Sequence, residues 1–207
     1  MSEYIDHPYN DFASHICDYI PDLLTEEECA KARILFDKYS PVETEGKVGD
    51  DYGRIVQVDH VLRRCMVTDI PHNEETAWLH EKLESQMLKS NERFWQFEIT
   101  DFREEMRQMK YGPDEHFQSL HMDQGPSYSS LRKLSIVVQI AHEDDYEGGD
   151  FAFHGFNPFD NEQGADWNAK KLGSAIVFPC YQFHNVTPVI SGERRTIVHR
   201  AIGPCYR

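Results

Sequence analysis

Basic residues are scarce in this sequence of 207 residues: 21 lysines and arginines stand against 36 aspartates and glutamates, a formal charge of −15. Such a surface repels phosphate backbones and argues against a general nucleic-acid binder. Cysteine is sparse as well. Cys17, Cys29, Cys65, Cys180 and Cys205 are scattered, odd in number and contain no C-x-x-C. This argues against a disulfide framework or a structural zinc site and fits a reducing compartment. No stretch approaches about 18 apolar residues, so no membrane span is expected. The opening MSEYIDHPYNDF has no basic start and no apolar run, so no secretory signal is expected either. Repeats, low-complexity segments and Gly/Ser linkers are also missing. What is present is an ordinary globular composition, 40% hydrophobic and 12% aromatic. It is long enough for one domain with a core.

The first half reads as helical. Thr25 followed by Glu28 makes a capping box, after which Cys29, Ala32, Phe36 and Tyr39 recur at helical spacing. A second helix is expected from Asn73, with Leu79, Leu83 and Met87 on one face. The polar stretch SPVETEGKVGDDYGR between them reads as a loop. From about Phe94 the pattern changes to short β-rich segments separated by Gly, Pro or Asp turns: FWQFEITDF, REEMRQMKY, HFQSLHMD, KLSIVVQIA, GGDFAFHG, SAIVFPC, FHNVTPV and RRTIVHRAI. The fold expected is mainly β with N-terminal helices, a double-stranded β-helix or cupin-type jelly roll. A single domain over 1–207 is expected, with helical support over about 1–92 and the jelly-roll core over about 93–207.

Within HFQSLHMD, His121 and Asp123 stand two apart at the end of a strand-like run, so both side chains face the same way. That suits two metal ligands, but about one H-x-D is expected by chance in such a chain. A second one, His142-Glu143-Asp144, lies in the charged turn HEDDYEGGD and reads as a solvated hairpin. A 2-His-1-carboxylate facial triad needs another histidine from downstream. His142, His154, His184 and His199 are the candidates. If FHNVTPV and ERRTIVHRAI pair as a hairpin through Ile190-Ser191-Gly192, then His184, Arg194 and Thr196 project to one side and Arg195 to the other. Arg194 would then meet the far carboxylate of a small metal-bound diacid, which its planar fork binds bidentately. Arg195 and Arg200 read as surface or salt-bridge residues. Trp78, Trp95 and Trp167 read as packing, with Trp167 also a candidate for substrate contact.

The order H-x-D, distal His and then Arg ten residues later, in HNVTPVISGERRT, resembles the Fe(II)/2-oxoglutarate-dependent oxygenases of the prolyl-4-hydroxylase type, in their bacterial and phage branch. The likeness runs from about Asn91 to Pro204 and includes MKYGPDEHFQSLHMD, DYEGGDFAF and GSAIVFPCYQFHNVTPVISGERR. It implies that His121, Asp123 and His184 bind iron, that Arg194 and Thr196 hold the distal carboxylate of 2-oxoglutarate, and that Tyr111 hydrogen-bonds the same co-substrate. Leu120 stands where relatives often carry an aromatic residue. The implied cofactors are Fe(II), 2-oxoglutarate and O2, with ascorbate as a supporting reductant. No catalytic side chain is implied beyond the metal centre. An aspartate at position 123 favours hydroxylation over halogenation.

The leading function is hydroxylation of an unactivated C–H bond, that of a prolyl residue in a peptide or protein. The expected setting is a bacterial or phage-infected cytoplasm, without nucleic-acid or membrane partners, as a monomer or homodimer. Two rivals remain open: hydroxylation of a free amino acid or small metabolite, and a jelly-roll module that binds iron without turnover. Substrate choice would rest on loops such as residues 40–63, a candidate lid, and 124–130.

Overall fold

Thr25 opens the first helix reciprocally: its Oγ1 accepts from the Glu28 N–H at 3.2 Å, and Glu28 Oε2 accepts from the Thr25 N–H at 2.8 Å. The resulting α1 (Glu26–Tyr39) buries Cys29, Ala32 and Phe36, the face read from the sequence. The second helix, α2 (Ala77–Phe94), buries Leu79, Leu83 and Met87 as expected but starts four residues after Asn73. Asn73 Oδ1 accepts instead from the Glu75 and Thr76 N–H groups, which closes a turn ahead of the helix. The computed structural model describes residues 16–40, 44–49, 56–153 and 169–205.

Fourteen strands follow or flank these helices among the described residues. In chain order they are β1 (Asp18–Ile20), β2 (Thr44–Glu45), β3 (Lys47–Gly49), β4 (Val56–Val58), β5 (Met66–Ile70), β6 (Met106–Tyr111), β7 (Phe117–His121), β8 (Arg132–Gln139), β9 (Tyr146–Gly148), β10 (Phe151–Phe153), β11 (Ala175–Pro179), β12 (His184–Val186), β13 (Val189–Gly192) and β14 (Arg194–Ile202). The larger sheet runs β1-β11-β8-β14-β6-β5-β2, and the smaller runs β10-β12-β7. Two ribbons, β13-β9 and β3-β4, complete the set.

The larger sheet is apolar on both faces, as alternation along a doubly covered strand requires. From β8 and β14, Leu134, Ile136, Val138, Ile197 and Ala201 pack with Phe36, Leu79, Leu83 and Met87 of the helices. On the opposite face Met109, Tyr111, Ile176, Phe178 and Val198 form a second core with Phe151, Phe153 and Val186 of the smaller sheet. The fold is a jelly roll with its two helices on the outer face of the larger sheet. No helix among the described residues is long and apolar enough to cross a membrane.

Three readings of the sequence need correction. The hairpin expected between FHNVTPV and ERRTIVHRAI does not form: β12 pairs with β10 and β7, whereas β14 pairs with β6 and β8 in the other sheet. Gly192, at φ 78°, turns the chain between them, where a Cβ would lie 2.0 Å from the Asp145 carbonyl oxygen. FWQFEITDF is not a strand. Asn91 occupies the Phe97 backbone instead, donating to its carbonyl and accepting from its N–H, both at 2.9 Å, which takes the place of a ladder partner. The polar stretch after α1 is not all loop, since its described parts form β2 and β3; residues 41–43 and 50–55 lie outside the described residues.

Candidate functional site

His121 closes β7 and His184 opens β12, and the two are direct cross-strand partners in the smaller sheet. Directly opposed residues place their side chains side by side, and here the imidazole centroids are 4.2 Å apart. Phe117 stacks on His121 at 3.6 Å, while Phe151, Phe153 and Phe178 surround His184. Each ring is fixed in the same way. His121 Nδ1 lies 2.9 Å from the Ser119 carbonyl, and His184 Nδ1 lies 2.9 Å from that of Gln182. A carbonyl only accepts, so Nδ1 carries the proton and Nε2 keeps its lone pair. This second contact is what orients metal-binding histidines.

Asp123 lies just beyond β7. Donor atoms of His121, Asp123 and His184 all fall within 4.8 Å of one another, a set compatible with iron. The carboxylate is held at both oxygens: Arg200 donates to Oδ1 at 2.8 Å, and the Ser135 hydroxyl donates to Oδ2 at 2.5 Å. Each oxygen keeps a further lone pair. Burial favours the neutral acid, yet the Arg200 guanidinium overrides it and holds Asp123 well below the usual carboxylate range. Burial lowers both histidines, His121 to about 3, with His184 beside it adding to the effect. Two neutral imidazoles and an anionic carboxylate are therefore the forms present at neutral pH, the forms a divalent metal needs.

These shifts predict an acid sensitivity with a definite sign. The unfolded chain protonates His121 near pH 6.5, at about the reference value, while the folded chain resists to about 3. Between those values the unfolded state binds more protons, so folding stability falls as pH falls. The metal-free chain is expected to lose stability from about pH 6.5 downward. Urea unfolding at several pH values checks this, and His121→Gln should flatten the slope. An unchanged slope in that variant would remove His121 as its source.

Across the cavity β14 presents Arg194, Thr196, Val198 and Arg200 inward, whereas Arg195 points outward to Glu193 and Asp37. The expected sidedness of β14 thus holds although the hairpin does not, because it depends only on alternation. Arg194 is 3% exposed. Arg195 and Arg200 hold carboxylates, but among the described residues no ion pair engages Arg194. Its guanidinium lies 5.3 Å from the Tyr111 ring and contacts the Tyr146 hydroxyl. Gly149 makes room for it, since a Cβ there would fall 2.9 Å from Arg194 Cδ. Thr196 and Tyr111 line the same cavity, and Tyr111 is the cross-strand partner of Arg194. The Tyr111 hydroxyl interacts with Cys65, and burial raises its pKa.

The remaining candidates lie elsewhere. His142 is exposed and caps a short 3₁₀ turn, its Nδ1 accepting from the Asp144 N–H at 3.2 Å. His199 projects to the opposite face of β14, against α2. His154 and Trp167 lie outside the described residues. Three contributions to the site were not read from the sequence. Ser135, which donates to Asp123, carried no signal, and Arg200, read as a surface or salt-bridge residue, does form an ion pair, but a buried one that holds Asp123. Arg63 reaches the site from the far side of the chain, its guanidinium 4.7 Å from the Phe117 ring.

Residues 106–200 match the family described as the 2OG-Fe(II) oxygenase superfamily, which bears out the resemblance carried by the motif. No curated protein matches the sequence. Among solved structures, a Pseudomonas putida prolyl-4-hydroxylase aligns at TM-score 0.65 and 16% identity, covering 95% of this chain and 97% of its own. A viral collagen prolyl hydroxylase of Paramecium Bursaria Chlorella virus-1, in its 2OG complex, aligns at 0.61 and 15%, covering 93% and 99%. A Trichoplax adhaerens prolyl hydroxylase, in complex with a hypoxia inducible factor oxygen degradation domain peptide fragment, aligns at 0.67 and 15%, covering 94% and 86%.

Proposed function

We propose that this chain, which carries the 2OG-Fe(II) oxygenase match over residues 106–200, hydroxylates a prolyl residue within a peptide or protein segment. The coarser part is secure: the family uses Fe(II), 2-oxoglutarate and O2, and the His-Asp-His cluster is compatible with the iron. One observation carries the reading further. A buried arginine that no ion pair engages among the described residues shares one cavity with two neutral imidazoles and a carboxylate. A buried guanidinium whose described partners are a hydroxyl and a ring, and no carboxylate, favours an anion in the cavity.

In this reading His121, Asp123 and His184 hold the metal, and Arg194 binds the distal carboxylate of 2-oxoglutarate with Thr196 donating to a remaining oxygen. Tyr111 braces the Arg194 guanidinium and lines the co-substrate end. When bound, iron and 2-oxoglutarate supply the oxidising chemistry, in which the diacid and O2 become succinate, carbon dioxide and one oxygen atom inserted into a C–H bond. The protein's own residues orient and desolvate. Arg200 and Ser135 fix the Asp123 carboxylate, the two backbone carbonyls fix the histidine tautomers, and Phe117, Phe151 and Val186 keep the cavity dry. No side chain need act as a general base.

The prolyl assignment rests on the fold shared with prolyl hydroxylases, one of them solved with a peptide. An extended proline-containing segment also loses little entropy on entering a groove, because its polyproline-like form is pre-set. A charge of −15 favours neutral or basic peptides. The test incubates the protein with Fe(II), ascorbate, 2-oxoglutarate and three pools: proline-rich peptides, free amino acids and methylated oligonucleotides. One oxygen gained on proline, matched by succinate formed, supports the reading. Coupled turnover on either other pool, with none on peptides, sinks it.

A further inference from the structure

The face of β14 turned away from the cavity carries a second group of donors. We propose that His80, Glu84 and His199 form a second metal site, for a divalent d-block ion of the zinc class, between α2 and β14. His80 and Glu84 are four residues apart and so share one face of α2; His199 reaches them from the strand beneath. Donor atoms of the three lie within 4.8 Å of one another. Glu84 Oε1 is 3.6 Å from His80 Nδ1 and 3.4 Å from His199 Nε2. Those separations are long for N–H···O hydrogen bonds. They match ligands shared by one ion: donors about 2.0–2.1 Å from a tetrahedral zinc stand roughly 3.3–3.4 Å from each other.

Burial supplies the independent observation. The His80 side chain is 4% exposed and that of His199 is 0%. The nitrogens turned away from Glu84, His80 Nε2 and His199 Nδ1, are buried with no hydrogen-bond partner among the described residues, so neither ring is tied down on that side. The other nitrogen of each ring, His80 Nδ1 and His199 Nε2, faces Glu84, the only acidic group paired with either among the described residues, so both rings present a donor atom to one point. Two imidazoles and one carboxylate form the donor set of open zinc sites, with a fourth position left for water or another ligand. That position has an approach here, because the cluster borders a cavity of about 380 Å³ lined also by His72, Asp101, Phe102 and Glu105. His72 stands 4.5 Å from His80, centroid to centroid, a further imidazole within reach. Arg103 also lines this cavity, with its charge paired to Asp101. The site is independent of the oxygenase reading.

The experiment is equilibrium dialysis of the full metal-stripped chain against Zn(II), with bound metal counted per chain. His121→Ala removes the triad from the count and makes the second site visible alone. About one equivalent of Zn(II) is expected to remain bound in that variant and to raise its melting temperature, since a ligand of the folded state stabilises it. Adding Glu84→Gln should remove this equivalent and the thermal shift together. Glu84 is 26% exposed, so its amide variant should stay folded, whereas His199→Ala would open a void at a fully buried position. Circular dichroism of each variant verifies that it is folded. A folded His121→Ala chain that binds no zinc, or an equivalent that survives Glu84→Gln, overturns the proposal and leaves a buried polar cluster only.

Discussion

His121→Ala should abolish stoichiometric Fe(II) binding at the triad while the chain stays folded. His121 sits at the end of β7, partly buried, so its truncation opens toward solvent rather than leaving a closed void. The triad loses its chelate geometry with any one ligand missing. The loss should exceed the roughly 10–100-fold typical of changes one step outside the ligand shell. His142→Ala, on an exposed turn, should leave Fe(II) affinity unchanged. Anaerobic titration of Fe(II) reads both variants, and the assignment is wrong if His142→Ala removes the triad equivalent and His121→Ala does not. Asp123→Ala is a poorer probe. It removes the closer of the two carboxylates that face buried Arg200, leaving only Glu104 at 3.9 Å, and breaking a buried pair in this way costs up to about 3–5 kcal/mol of stability. Asp123→Ala should therefore lose iron and stability together, and Asp123→Asn, which keeps a hydrogen-bond acceptor for Arg200, should lose mainly iron.

The second large effect belongs to Arg194. Arg194→Ala should raise the KM for 2-oxoglutarate steeply, with Fe(II) binding intact. Removing one partner of a buried charged pair costs about 2–5 kcal/mol, or roughly 30-fold to several thousand-fold in affinity. Arg194→Lys keeps the charge without the bidentate fork and should fall between. Arg195→Ala should do little to KM, because Arg195 points away from the cavity into ion pairs with Glu193 and Asp37. Succinate release at varied 2-oxoglutarate separates the variants. Equal effects at positions 194 and 195 would show that the inward face of β14 is misassigned. The described cavity holds only about 50 Å³ of free space, room for a few waters. Arg63 lines this cavity, so Arg63→Ala, which adds room for the diacid, should lower KM or leave it unchanged rather than raise it.

What the sequence determined by itself was whatever local geometry controls. The Thr25–Glu28 capping box and the buried stripes of both helices follow from periods of a few residues. The inward set Arg194 and Thr196 against outward Arg195 follows from the two-residue period of a strand, whichever strands flank it. That His121, Asp123 and His184 would come together was legible because ligand chemistry narrows the residue types and the likeness in the spacing to Arg194 narrows the rest. Only the tertiary structure decided which sheet each strand joins. β12 and β14 are close in sequence and were read as a hairpin, yet they lie in different sheets and face one another across the cavity. Strand pairing is a non-local choice made by packing, and no periodicity encodes it. The same holds for partners brought from afar. Ser135 and Arg200 meet on Asp123, and His80 and Glu84 meet His199, through contacts spanning 12 to 119 residues of chain that pattern reading cannot join.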